Sequence, residues 1–161
     1  MLFLKHQILD MEDVVCTVIP ASPLRREDFT KAVSLINANT RRRYESDPAR
    51  VLIVFHSGQS QAVVGISNSE IKTKPKSHSL VQSQRWIYLE SAVKTRFEGL
   101  LEQAFDGVAA LERYLEEQGL RAITSVYGVF LSGVGEDEEN REVILDLYIG
   151  IDKNVVLNIL A

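Results

Sequence analysis

Five side chains able to bind or polarise a small organic molecule fall at alternate positions of two apolar runs. Trp86, Tyr88 and Glu90 lie in 84–97 (QRWIYLESAVKTRF), and Asp146 and Tyr148 lie in 142–151 (EVILDLYIGI). Strand side chains alternate between faces, so each run presents a mixed acidic and aromatic face. In the last run Val143, Leu145, Leu147, Ile149 and Ile151 form a uniform aliphatic face, leaving Ile144, Asp146, Tyr148 and Gly150 on the other. In 121–132 one set is Tyr127, Val129 and Leu131, and the other is Val126, Gly128 and Phe130. Aromatic faces attract cations and a desolvated carboxylate supplies the opposing charge. The site expected from alternation is therefore Trp86, Tyr88, Glu90, Asp146 and Tyr148, with the competing reading that such a face is merely solvated.

The elements that position these residues follow from periodicity. Residues 12–20 are a β-branched run ending at Pro20, read as a strand. Ser22 and Pro23 read as a helix cap and first position, followed by Phe29, Ala32, Val33 and Ile36 at helical spacing. Residues 50–56 and 61–67, separated by Ser57-Gly58-Gln59-Ser60, read as an antiparallel hairpin. The polar stretch 68–79 reads as a linker. The same order then repeats: strand 84–97, a helix from Gly99 to Gln118 closed by Gly119, and strands 121–132 and 142–151 joined by the acidic turn 135–140. Residues 155–161 read as a short helix or a frayed end. Two β-α-β-β halves, about 12–67 and 84–152, predict one α+β domain over 1–161: an antiparallel sheet with both helices on one face and a ligand groove between the halves.

Composition excludes several classes of function. A formal charge of −4 over 161 residues opposes general binding to nucleic acid or anionic lipid, which needs clustered cations. The run Arg41-Arg42-Arg43 reads as a complement to a helix C-terminus. No run approaches the roughly 20 apolar residues of a membrane span, and the N-terminus is too short in apolar residues for a signal peptide. The lone Cys16, inside an apolar run, fits a reducing cytoplasm. His6, His56 and His78 lack metal-ligand spacing, the 135–140 loop lacks the alternation of a calcium loop, and neither metal nor cofactor is expected.

The second half resembles the GyrI-like family, the effector-binding domains of many bacterial transcription regulators. The likeness lies in 99–119 (GLLEQAFDGVAALERYLEEQG), 124–131 (TSVYGVFL) and 142–151; the first half is similar only in element order. The resemblance implies pseudosymmetric modules flanking a groove for amphipathic, often cationic molecules, and a bacterial, stand-alone ligand-binding domain without its own DNA reader. Gly128 stands where the family often has a pocket glutamate, which adds Gly128 and Phe130 to the expected ligand site with Gly128 opening space beside Phe130, and Gly150 stands where the family has a closing proline. Glu90 and Asp146 are then the candidate counter-charges. Three functions compete. The first is non-catalytic binding of aromatic or amphipathic molecules. The second is hydrolysis of alkylating compounds by Glu90 with Tyr88 or Tyr148, which some family members suggest. The third is a protein-interaction or inhibitor module, or a homodimer, in which the 135–140 loop and Glu116-Glu117 meet a basic partner.

Overall fold

The computed structural model describes residues 1–40, 51–56, 58–67, 82–132, 134 and 142–152. The order is β1 (Phe3–Pro20), α1 (Arg26–Thr40), β2 (Val51–Phe55), β3 (Gln61–Ser67), β4 (Gln82–Leu100), a single 3-10 turn (Leu101–Gln103), α2 (Ala104–Glu117), β5 (Ala122–Ser132) and β6 (Glu142–Ile151). The architecture is α+β, with every strand pair antiparallel and the strands ordered β1-β3-β2-β5-β6-β4. Each half contributes three neighbouring strands. The halves join twice, through β2 with β5 and through β1 with β4, which closes the sheet into a barrel.

Both helices cover one face of the sheet, as their apolar stripes require. Phe29, Ala32 and Ile36 of α1 share a buried cluster with Leu101, Ala104, Val108, Leu111 and Leu115 from the second helical segment. The aliphatic set of β6 meets them there. Fully burying each large apolar side chain contributes about 1.5–3 kcal/mol, so this face dominates stability. Gly107 lets α2 approach closely, since a Cβ there would lie 2.9 Å from Leu147 Cδ1. Gly119, at φ 66°, ends the helix in the left-handed conformation expected of it. One cap crosses between halves: the Arg26 amide donates to Glu102 Oε1 at 3.1 Å, satisfying a donor at the start of α1.

Two boundaries differ from expectation. The first helix begins at Arg26, because Ala21 and Leu24 bridge across Ser22 and Pro23 and make that pair a turn. The first strand begins at Phe3, nine residues before the expected start. Its early half escapes a period-two pattern because it is bulged. His6 (φ 58°) and Asp13 (φ 50°) are left-handed, and each coincides with a register slip against β4. The early half of β1 and the early half of β4 form a two-stranded ribbon that folds across the helix-free face. Leu9, Met11, Ile87 and Leu89 from the ribbon pack on Leu52, Val54 and Val129. The start is pinned by a 4.3 Å stack of Phe3 on Tyr114 and by Thr95 Oγ1 donating to the Leu2 carbonyl at 2.7 Å. Arg41–Arg43, the linker 68–79, the acidic loop 135–140 and the tail 155–161 lie outside the described residues.

Candidate functional site

The seven residues singled out in the sequence occupy three separate places. Trp86 and Tyr88 face outward from the ribbon, 66% and 49% exposed. Their rings lie 5.6 Å apart, and the Trp86 indole N–H donates to Asp10 Oδ1 at 2.7 Å. Glu90 is exposed beside them, in a groove of about 360 Å³ that also touches Ile123, Gly150 and Asp152. Gly128 and Phe130 face the helices. Phe130 is fully buried, stacked at 4.6 Å on Phe29. A Cβ on Gly128 would meet Ile53, Leu147 and Phe55 at 3.2 Å, so this glycine opens no space beside Phe130. Asp146 and Tyr148 lie on the helix-free face.

Strand parity misassigned these faces for a local reason. From Leu9 to Gln7 the first strand advances two residues while β4 advances three, from Leu89 to Ala92. That bulge at Glu90–Ser91 reverses the inward parity of β4, so Ile87, Leu89, Ala92 and Lys94 share one side. Trp86 and Tyr88 are thereby on the opposite face from Asp146 and Tyr148. A hydrolytic pairing of Glu90 with Tyr148 is separated by the same reversal.

On the helix-free face, Asp146 is held by two cations. Arg96 Nε donates to Oδ1 at 3.0 Å, and Lys94 Nζ lies 3.8 Å from Oδ2. Lys94 also sits 5.8 Å from the centre of the Tyr148 ring. Tyr127 is directly opposite Tyr148 in the register. Burial first, and then the negative charge of Asp146, raise the Tyr148 phenol above its ordinary pKa. A carboxylate already facing two cations has little attraction left for a third.

A larger opening adjoins the Glu90 groove, sharing Ile123 and Thr124 with it. A cleft of about 930 Å³ runs between the C-terminal half of α2, the start of β5 and the end of β2. Its floor is apolar: Phe55, Leu115, Leu120, Val126 and Ile149. One wall carries Glu112 and Glu116, exposed and one helical turn apart. Opposite them His56 Nδ1 and Ser125 Oγ share a 2.8 Å hydrogen bond, and Arg121 stands at the end. The pairing of Phe55 with Val126 in the β2–β5 ladder brings His56 beside Ser125. Thr124 closes the neighbouring bulge of β5 by accepting the Gly150 amide on Oγ1 at 2.8 Å. A proline at 150 would have no N–H to give, which accounts for this departure from the resembled family.

Acids at the end of a helix are unfavourable, because the terminal carbonyls are themselves negative. Helix α2 nevertheless carries Glu116 and Glu117 in its last turn and no basic residue there. Carboxylates one turn apart add about 0.2–0.5 kcal/mol of repulsion. Two carboxylates thus stand beside an apolar floor, in a lining that also includes Arg121. In the sequence Glu116 stands out as half of an acidic pair that could meet a basic partner, and His56 as a histidine without metal-ligand spacing. A carboxylate recurring one turn before Glu116 was the available signal.

The fold is shared with proteins of known structure. The EcmrR C-terminal domain is similar with a TM-score of 0.63 at 14% identity, over 95% of this chain and 99% of that one. A hydrolase from Listeria innocua is similar with a TM-score of 0.58 at 13% identity, over 93% and 91%. SAV2435 bound to tetraphenylphosphonium is similar with a TM-score of 0.51 at 14% identity, over 96% of each chain. Identities this low show common architecture alone. No family model matches the chain, and no curated protein matches it. Among the described residues no helix is long and apolar enough to cross a membrane, and no cluster of His, Cys, Asp and Glu could hold a metal ion.

Proposed function

We propose that this chain binds small amphipathic organic cations, without transforming them, in the cleft beneath α2. The observation that carries this reading is the wall of Glu112 and Glu116, the latter in the unfavourable last turn of α2, standing over an apolar floor. A lipophilic cation would bury hydrocarbon on Phe55, Leu115 and Ile149 and relieve the carboxylate repulsion. The cleft is within the range of about 300–1,000 Å³ usual for small-molecule sites. The shared fold with a protein that holds tetraphenylphosphonium supports the ligand class. In this reading Trp86, Tyr88 and Glu90 lie outside the ligand site.

The test is a pair of thermal-shift and calorimetric titrations with tetraphenylphosphonium and with neutral triphenylphosphine oxide. A ligand at a hundredfold excess over Kd stabilises the native state by about 2.7 kcal/mol. The cation should raise Tm by several degrees and the neutral compound by much less. Equal binding of the two compounds, or unchanged affinity in the double variant Glu112→Gln/Glu116→Gln, would overturn the reading.

A further inference from the structure

The outward face of the ribbon is not used by the cleft, and its chemistry is regular. Asp10 is paired with Tyr88 across the strands, while the neighbouring pairs Met11 with Ile87 and Leu9 with Leu89 place Glu12 beside Trp86 and Ile8 beside Glu90. All six of these side chains are exposed. Each apolar or aromatic residue therefore has a carboxylate as its cross-strand neighbour. Trp86 is fixed by its 2.7 Å hydrogen bond to Asp10, which lowers the ordering cost of using it as an anchor. An indole 66% exposed beside Tyr88 and Ile8 is the kind of patch that marks an interaction surface.

We infer that this face docks a basic, partly apolar segment of a partner protein. Arginine or lysine side chains would lie over the rings of Trp86 and Tyr88, each within reach of a carboxylate, combining cation–π attraction with charge pairing. A second copy docked through the same patch would set these carboxylates against their own kind, which is repulsive. Nucleic acid is opposed by the same charges.

The test uses the intrinsic fluorescence of Trp86, the only tryptophan in the chain. The probes are a peptide of alternating arginine and leucine and a matched peptide of glutamate and leucine, each also made with a fluorescein label. The basic peptide should change Trp86 emission saturably, and the acidic one should not. By anisotropy, Tyr88→Ala should weaken the basic peptide by about tenfold or more, and Asp10→Asn with Glu12→Gln should weaken it and flatten its salt dependence. The cleft variant Glu112→Gln/Glu116→Gln should bind the peptide unchanged, which separates this surface from the small-molecule site. Equal binding of both peptides would overturn the inference. So would peptide binding lost only in the cleft variant, or tetraphenylphosphonium binding that Tyr88→Ala abolishes.

Discussion

The cleft beneath α2 and the helix-free face both set carboxylates among apolar and aromatic side chains, and they use them in opposite ways. On the helix-free face Asp146 is buried, and its charge is met inside the fold by Arg96 and Lys94. The ribbon then covers much of that face with Leu9, Met11, Ile87 and Leu89. In the cleft Glu112 and Glu116 remain exposed over an apolar floor, Glu116 in a last helical turn that disfavours it. A charge settled at home contributes to the fold, and a charge left beside a void is available to a ligand. Acidic and aromatic composition alone does not separate the two cases; what separates them is which cations the topology brings near.

The largest effect that tests this division comes from a ring counted as a site residue in the sequence. Phe130→Ala should destabilise the protein by about 3–5 kcal/mol, the usual cost of removing a fully buried phenylalanine. Trp86→Ala should cost about 1 kcal/mol or less, since its exposed ring loses mainly the hydrogen bond to Asp10. Urea denaturation measures both. A small loss at Phe130, or a large one at Trp86, would reverse the placement of core and surface.

The next effect concerns the charge that the fold has already satisfied. Asp146→Asn keeps the shape but leaves Lys94 and Arg96 facing a neutral amide. A loss on the order of 1–2 kcal/mol is expected, moderated because Arg96 is itself exposed to solvent. Tetraphenylphosphonium affinity should not move, since the cleft is elsewhere. Weakened ligand binding with unchanged stability would instead make Asp146 the counter-charge of the site.

Glu112→Gln/Glu116→Gln should do the reverse. Affinity for the cation should fall by about tenfold, equivalent to about 1.4 kcal/mol, while stability should hold or rise slightly as repulsion at the end of α2 is relieved. Calorimetry and thermal melts of the free protein read the two quantities separately. Loss of stability without loss of affinity would show these glutamates to be structural.

How much of this was legible in the sequence depends on the range of the interactions concerned. The helical stripes, the Gly119 cap, the hairpin and the aliphatic face of β6 are set by neighbours a few residues apart, and each was readable. The strand of 121–132 offered two alternating sets, and nothing within it says which one the helices cover. The inward set proved to be Val126, Gly128 and Phe130. In β4 a bulge at Glu90–Ser91 reversed the alternation, and in β1 the left-handed His6 and Asp13 hid nine residues of strand. Bulges carry no fixed sequence signature, so parity is reliable only between them. The cleft was less legible still. His56 and Ser125 are 69 residues apart and meet only because β2 pairs with β5.

The smallest effect expected lies at the edge of the helix-free face and is confined to alkaline pH. Burial and Asp146 raise the Tyr148 pKa in the folded state, above the value of about 10 for an unfolded tyrosine. The folded protein therefore holds the phenolic proton more tightly than the unfolded chain. The stabilisation this represents is complete below the unfolded value and is lost as pH rises through the folded one. Tyr148→Phe cannot ionise, so the gap in stability between wild type and variant should narrow or reverse as the solution becomes alkaline. Ultraviolet titration of the phenolate, compared between wild type and variant, isolates this one tyrosine. If it ionised at the ordinary value, the ring would be solvated, and the helix-free face would be more open than its packing against the ribbon implies.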